Sequence, residues 1–263
     1  MPDVPIGTGA THPAAASPRP RPITVALDGP SGSGKSSVSR EVALRLGLEY
    51  LDTGAMYRAV CWSCLRDGID LTDEAAVGAR ARALDLVMGT DPAAPFVLVD
   101  RYDVSREIRE LRVTTAVSHV ATNPEVRAEL KDRQRALIEA ARQRTGGVVA
   151  EGRDITTVIA PDAEVRILLT AQEEARLSRR ALERHGRADA QTLDATRDEV
   201  LLRDALDATV SSFHDPAAGV LGLDSSQLDF EETVQAVLAA VRDADVWSAM
   251  TSGPGFEDDG AEP

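Results

Sequence analysis

The stretch that decides the fold is ITVALDGPSGSGKSSVSREVALRL, residues 23–46. The apolar run at 23–28 predicts a buried strand, and apolar residues at helical spacing predict a helix over 34–46. Between them, residues 29–36 fit G-x-x-x-x-G-K-[ST] at every fixed position. The sequence therefore predicts a phosphate-binding loop between a first strand and a first helix.

The chemistry of this loop follows from its residue types. Glycines let successive backbone N–H groups converge on phosphate oxygens, and the start of a helix adds its positive end. Lys35 supplies a mobile charge for the outer phosphates, and the Ser36 hydroxyl is a ligand for Mg²⁺. The loop is predicted to hold a nucleoside triphosphate with Mg²⁺ through Gly29, Pro30, Ser31, Gly32, Ser33, Gly34, Lys35, Ser36 and Ser37.

Strand-like and helix-like segments alternate along the rest of the chain. Strands are predicted at 23–28, 48–51, 96–99, 147–150, 164–169 and 219–223. Helices are predicted at about 34–46, 55–66, 73–86, 106–121, 124–143, 172–185, 191–206 and 230–242. This alternation predicts an α/β fold with a mostly parallel sheet covered on both faces.

The ends of the chain differ in composition from its body. Residues 1–22 hold six of the 14 prolines and show no periodicity, so we expect a disordered tail. Residues 246–263 end in FEDDGAEP and are expected to be an acidic, disordered tail. The 263 residues suit one α/β domain, predicted at 23–245.

Charge and composition argue against several classes of protein. A net charge of −14 and only nine aromatic residues (Phe 4, Tyr 3, Trp 2) argue against a nucleic-acid partner. No apolar run approaches 18 residues and no signal peptide is visible, so we expect a cytoplasmic protein without membrane association. We also expect a monomer. Cys61 and Cys64 lie in an apolar-periodic stretch, and no second Cys or His cluster accompanies them. This arrangement favours ordinary helix thiols over a redox or metal site.

A second anion would need its own positive groups, and two short segments supply them. Thr53 follows the second predicted strand, and Arg58 lies one turn into the next helix, so the two could hold a monophosphate. Gly152-Arg153-Asp154 follows the strand-like GVVAE, and ligands bind at strand ends in open α/β sheets. Acceptor-binding residues are therefore expected at the same sheet edge as the loop.

Five motifs together resemble the bacterial cytidylate kinase family of nucleoside monophosphate kinases. They are GPSGSGKSS (29–37), LDTGAMYR (51–58), DVSREIR (103–109), EGRD (151–154) and RDALD (203–207), and the match spans residues 23–242. The resemblance implies a P-loop NTPase core whose central parallel sheet is flanked by helices. It also implies an acceptor-binding insertion at about 57–145 and a helical lid at about 171–210.

The resemblance further implies transfer of the terminal phosphoryl group of ATP to CMP or dCMP, with Mg²⁺ held by Ser36. The catalytic residues would be Lys35, Arg58, Arg153 and Arg180, with Arg176 and Arg179 also contacting ATP. The implied CMP-binding residues are Thr53, Arg58, Arg109, Ser118, Arg127, Asp154, Arg203 and Asp207. Of these, Ser118, Arg127 and Asp154 would contact the cytosine ring, and Arg203 and Asp207 the ribose.

The sequence departs from the family pattern at two positions. Val210 stands where the family has Arg, which removes a charge-assisted contact worth about 1.5–3 kcal/mol. Thr156 stands where the family prefers Gly. Two strand-end carboxylates, Glu151 and Asp28, suit either a place in the site or a structural role.

Two other functions remain open from the sequence. One is a P-loop kinase for another small acceptor, such as UMP, AMP or dephospho-coenzyme A. The other, suggested by Val210, is a regulatory protein that binds nucleotide with little or no turnover.

Overall fold

A parallel sheet of five strands forms the centre of the computed structural model. The model describes residues 22–207, 209, 211 and 215–251, without the side chains at 183–185, 198–199, 202–203, 207 and 245–251. The strands are β1 (Ile23–Asp28), β2 (Glu49–Asp52), β3 (Leu86–Met88), β4 (Val97–Val99), β5 (Tyr102–Asp103), β6 (Gly147–Gly152), β7 (Val165–Thr170) and β8 (Leu221–Asp224). The central sheet has the order β2-β6-β1-β7-β8.

Helices follow most of the strands. They are α1 (Lys35–Leu46), α2 (Thr53–Arg66), α3 (Glu74–Ala83), α4 (Leu111–Ala121), α5 (Pro124–Thr145), α6 (Glu173–His185), α7 (Ala190–Asp207) and α8 (Phe230–Thr251). A 3₁₀ turn occupies Glu107–Arg109, and a π turn occupies Ile155–Ile159.

The apolar core lies on both faces of the central sheet because side chains alternate along each strand. Val25 and Leu27 of β1 pack on one face with residues of α1 and α8. Ala26 packs on the other face with residues of α2 and α5. The predicted α/β class, a parallel sheet covered on both faces, is therefore confirmed.

The carboxyl ends of the parallel strands place four functional segments at one edge. β1 leads into the glycine-rich loop, β2 into α2, β6 into the segment Arg153–Asp154, and β7 into α6. The register sets Asp28 beside Gly152 and Asp52 beside Glu151, so these segments start at the same level. Ligands of open α/β sheets bind at this edge.

The predicted strand at 96–99 does not join the parallel sheet. β4 instead pairs antiparallel with β3 and β5 in a separate sheet of three strands. Asp100 and Arg101, with φ of 49° and 72°, form the two-residue turn between β4 and β5. A two-residue hairpin turn of this kind joins antiparallel neighbours only, which explains the separate sheet.

Three helix boundaries also differ from the prediction. Helix α4 begins at Leu111 rather than at 106, because Glu110 is extended (ψ 152°) after the 3₁₀ turn. Helix α3 ends at Ala83, short of 86, because β3 follows. Helix α8 continues to Thr251 rather than ending at 242, so it enters the predicted C-terminal tail. The first strong helix breakers after 242 are Gly253 and Pro254.

Within the described residues, no helix combines the length and apolar character that a bilayer crossing demands.

Candidate active site

The glycine-rich loop joins β1 to α1 in a conformation that requires glycine at several positions. Gly32 and Gly34 have φ of 76° and 88°, and Gly34 is the N-cap of α1. A Cβ at Gly29 would lie 2.2 Å from the Leu169 carbonyl oxygen, and one at Gly32 would lie 2.5 Å from that of Arg176. The loop is therefore packed closely against β7 and α6, with the start of α1 facing the site.

A cavity of about 490 Å³ opens over this loop. From the loop and α1 it is lined by Ser31, Gly32, Gly34, Lys35, Ser36 and Ser37. From the other predicted segments it is lined by Thr53, Arg58, Arg109, Arg127, Arg153, Asp154 and Arg180. Most of the residues predicted for the donor and for the acceptor thus face one another across one cavity.

Glu151, at the end of β6, lies beside the two polar residues that start α1. The Ser36 hydroxyl donates to Glu151 Oε1 at 2.6 Å, and Lys35 Nζ lies 4.0 Å from Glu151 Oε2. Glu151 is 2% exposed and lines the cavity. This arrangement of a hydroxyl and a carboxylate offers the oxygen ligands that Mg²⁺ prefers.

The Ser36 hydroxyl and the Glu151 carboxylate would supply only part of a Mg²⁺ coordination shell. Among the described residues, no group of three or more His, Cys, Asp and Glu side chains is placed to hold a metal ion. Mg²⁺ commonly combines one or two protein oxygens with water and substrate phosphates. Ser36 and Glu151 fit that pattern.

Asp52 orients the two arginines nearest the predicted acceptor phosphate. Its carboxylate accepts from Arg58 Nη2 at 2.8 Å and from Arg109 Nη2 at 3.3 Å, and it caps α2 by accepting from the Ala55 amide at 2.8 Å. Burial acts to raise the pKa of Asp52, but the two arginines, the amide and Lys35 together hold that pKa below its usual value. Asp52 thus remains a carboxylate.

Thr53 adjoins this pair at the start of α2. Its hydroxyl donates to the Glu151 carbonyl at 2.8 Å and lines the cavity. A Cβ at Gly152 would lie 2.5 Å from that hydroxyl, so the close approach of β6 to α2 depends on glycine. Strand β6 therefore presents its last residues directly to the cavity.

Two of the three residues predicted for the base, Arg127 and Asp154, line the cavity together. Arg127 Nη2 donates to Asp154 Oδ2 at 2.5 Å, and Tyr57 lines the cavity with both. Burial and the Asp154 charge raise the pKa of Tyr57 to about 12, so its hydroxyl keeps its proton. Ser118 is 3% exposed in α4, one turn after the cavity-lining Thr114.

The three predicted lid arginines lie in two different environments. Arg180 lines the cavity. Arg176 donates to the Ser31 carbonyl at 2.9 Å and also to Asp204. Arg179 donates to the Ser33 carbonyl at 3.2 Å and to the Ser225 carbonyl at 2.7 Å. Arg176 and Arg179 thus contact the backbone of the loop.

Several residues of this site were missed by the sequence reasoning. Asp52 and Tyr57 stand within the quoted LDTGAMYR segment but were given no role, although an Asp before a helix start signals an N-cap. Asp204 accepts from the Ser31 amide at 3.0 Å, and Ser211 lines the cavity. No pattern in the sequence indicates these two contacts. The side chains of Arg203 and Asp207, and all of Val210, lie outside the described residues.

The structure also shows the surroundings of four other residues from the sequence analysis. Cys61 and Cys64 are 0% exposed, and burial raises their pKa to about 12 and about 11, as expected of helix thiols. Arg153 Nη1 donates to the Gly29 carbonyl at 2.8 Å, which ties the end of β6 to the loop. Asp28 accepts hydrogen bonds from the turn that follows Asp154.

Comparisons with known proteins agree with this geometry. A family model described as cytidylate kinase matches residues 25–243. A cytidylate kinase from Streptomyces avermitilis is 44% identical over 222 residues, which are 84% of this chain and 93% of that protein. One from Nocardia farcinica is 48% identical over 217 residues, which are 81% of this chain and 90% of that protein. A solved gluconokinase from Sinorhizobium meliloti has a TM-score of 0.44 and 17% identity, covering 89% of this chain and 100% of its own. Because the family model and both relatives span most of its length, this chain belongs to the cytidylate kinase family.

Proposed function

We propose that this chain transfers the terminal phosphoryl group of ATP to CMP or dCMP, giving ADP and CDP or dCDP. One observation carries the proposal: the glycine-rich loop and the cluster of arginines line the same cavity of about 490 Å³. Two polyanions can be brought together there only if positive groups surround both. The family membership of the chain supports the same reaction.

The donor side is the loop together with Lys35. Backbone N–H groups of the loop and the start of α1 would hold the β- and γ-phosphates, with the Lys35 ammonium between them. Mg²⁺ would be held by the Ser36 hydroxyl and by phosphate oxygens. Glu151 would hold it either directly or through a water molecule. When bound, the ion neutralises charge on the transferring group.

The acceptor side is the cluster of Arg58, Arg109 and Thr53. Asp52 accepts a hydrogen bond from each guanidinium group and so orients both at the cavity, where they would bind the CMP phosphate. Arg127 and Asp154 would contact the cytosine ring. A donor from Arg127 and an acceptor from Asp154 suit a pyrimidine that carries a carbonyl and an exocyclic amine.

The transfer step needs little proton chemistry. A phosphate oxygen of CMP attacks the γ-phosphorus of ATP, while the bond from that phosphorus to the β–γ bridging oxygen breaks. The electron pair leaves with ADP. Catalysis then consists of holding both nucleotides in line and neutralising the charge that spreads over the transferred group. Lys35, Arg58, Arg153 and Arg180 are the proposed cations for this role.

Helices α6 and α7 form the proposed lid. Arg180 of α6 lines the cavity, and Asp204 of α7 bonds to the loop. Movement of these helices would admit ATP and then exclude water, which would otherwise accept the phosphoryl group.

An acceptor panel tests the proposal. The full chain is assayed for ADP release from ATP and Mg²⁺ with CMP, dCMP, UMP or AMP in parallel. We expect CMP and dCMP to give the highest kcat/KM. Preference for AMP or UMP would overturn the cytidine assignment. Binding of both nucleotides by calorimetry without ADP release would instead indicate a regulatory protein.

A further inference from the structure

The segment Arg153–Asp154 is fixed from both sides by contacts that the reaction itself does not require. On its N-terminal side, Gly152 belongs to β6 and pairs with Asp28 of β1. On its C-terminal side, the π turn Ile155–Ile159 begins at once. Asp154 itself has φ −144° and ψ 22°, a conformation outside helix and strand. The start of this turn therefore needs hydrogen bonds from neighbouring groups to stabilise it.

Asp28 supplies these hydrogen bonds. Its carboxylate accepts from the Ile155 amide at 2.9 Å, from the Thr156 amide at 2.8 Å and from the Thr156 hydroxyl at 2.6 Å. Asp28 is 2% exposed and Thr156 is 3% exposed, so these bonds are shielded from water. Bonds of buried charged groups are costly to lose, because nothing replaces the missing donor.

Of the three groups that donate to Asp28, only the Thr156 hydroxyl can be removed by changing a side chain. The two amides belong to the backbone and stay with any residue. Burial holds the pKa of Asp28 above its usual value, and the hydrogen bonds from Thr156 and Ile155 offset only part of that rise. The hydroxyl therefore helps to keep Asp28 in the charged form that binds the turn most strongly.

We propose that Asp28 and Thr156 are positioning residues that hold Arg153 and Asp154 in place for the acceptor nucleotide. Neither would touch the reacting atoms. Asp28 ends β1 and precedes Gly29, whose carbonyl accepts from Arg153, so Arg153 is bonded to the residue next to Asp28. The inference rests on the proposed function, which gives Asp154 its contact with CMP and Arg153 its role at the transferred phosphoryl group.

The experiment compares Thr156→Val with Thr156→Ser in the full chain. Valine keeps the shape and loses the hydroxyl, whereas serine keeps the hydroxyl. Thr157→Val is the matched control, because Thr157 is the adjacent residue and is exposed. For each variant, the Kd for CMP is measured by calorimetry, and kcat and KM are measured for CMP and for ATP. Thermal unfolding is followed in parallel.

We expect Thr156→Val to weaken CMP binding by about 10-fold, the effect of one lost bond to a charged group. Its KM for ATP should stay at the wild-type value, and Thr156→Ser and Thr157→Val should behave as wild type. If Thr156→Val does not fold, Thr156→Ala makes the same comparison with a smaller side chain.

Equal CMP affinity in Thr156→Val and wild type would overturn the inference. So would a lowered melting temperature with unchanged binding, since that result means a structural role alone. Calorimetry does not depend on turnover. Absence of CDP with the wild-type chain would therefore count against the proposed function, while the CMP affinities would still decide the positioning role.

Discussion

At the residue scale, the contact of Asp154 with the cytosine ring is proposed to decide which nucleotide is accepted. Asp154 is 7% exposed, lines the cavity and accepts from Arg127 at 2.5 Å, so its carboxylate is largely shielded from water. Replacing Asp154→Asn removes the charge and leaves Arg127 without its carboxylate. We expect kcat/KM for CMP to fall by roughly 10- to 150-fold, the range for a lost hydrogen bond to a charged group.

Steady-state kinetics with each substrate varied in turn checks this expectation. KM for ATP should change little, because Asp154 is proposed to contact the acceptor and not ATP. The control is Asp132→Asn, an exposed residue of α5. An equal rise of KM for both substrates would show that Asp154 supports the fold of the site rather than the acceptor.

The two cysteines illustrate a residue-scale effect of burial. Their pKa values are raised from 9.0 to about 12 for Cys61 and about 11 for Cys64, because burial disfavours the thiolate. We expect very slow alkylation by iodoacetamide at pH 8 in the native state and fast alkylation of both thiols in denaturant. Rapid loss of either thiol in the folded protein would contradict the buried environment.

The same shifts predict the sign of a pH effect on stability. A thiol whose pKa is higher in the folded state than in the unfolded state stabilises the fold below pH 9. That contribution is lost as pH rises through about 11 to 12. Urea unfolding at pH 8, 10 and 11 should therefore show a falling free energy of unfolding.

At the scale of elements, the loop and α6 are in close backbone contact at Gly32. Its φ of 76° and the 2.5 Å distance from an added Cβ to the Arg176 carbonyl oxygen make Gly32→Ala both strained and sterically blocked. Gly47→Ala is the matched control, since Gly47 has φ of 65° and nothing within 4 Å of an added Cβ. Each variant should lose about 1 kcal/mol of stability from positive φ alone.

Only the Gly32→Ala variant should also bind ATP more weakly. The loop must shift away from α6 to admit the methyl group, and its N–H groups then no longer converge. We expect KM for ATP to rise by about 10-fold or more, which corresponds to one lost charge-assisted bond. An unchanged KM for ATP in this variant would mean that the loop does not need its contact with α6.

Helix α7 reaches the loop through Asp204, which bonds to the Ser31 amide and to Arg176. Asp204→Asn keeps the size and removes the charge. We expect KM for ATP to rise by about 3- to 10-fold, because the loop and Arg176 lose their shared anchor. The exposed Asp194 of the same helix gives the control Asp194→Asn. Identical KM values for the two variants would contradict the anchoring role.

Elements were predictable where the signal is local. The segments at 23–28 and 164–169 become β1 and β7 within one residue, since short segments rich in Val, Ile and Leu favour buried parallel strands. The run at 96–99 has the same appearance but pairs in the other sheet. A four-residue apolar run does not say which strand will bond to it, and the neighbouring β3 is only three residues long.

At the scale of the whole molecule, the sequence predicts the site residues that belong to recognisable motifs. The loop, Arg58, Arg153, Asp154 and Arg180 were expected together and lie around one cavity. Asp204 stands in the quoted RDALD segment, but its contact with Ser31 could not be predicted, because the two residues are 173 positions apart. Thr156 was visible as a departure from the family pattern, but its bond to Asp28 needed the fold.

The central claim is that the donor and acceptor pockets face each other, so that the phosphoryl group passes directly between nucleotides. The most direct test gives the chain CMP, Mg²⁺ and ATP labelled at its γ-phosphorus, then separates the products. We predict that the label appears in the β-phosphate of CDP at the same rate as ADP forms. Label found only in inorganic phosphate would contradict the claim.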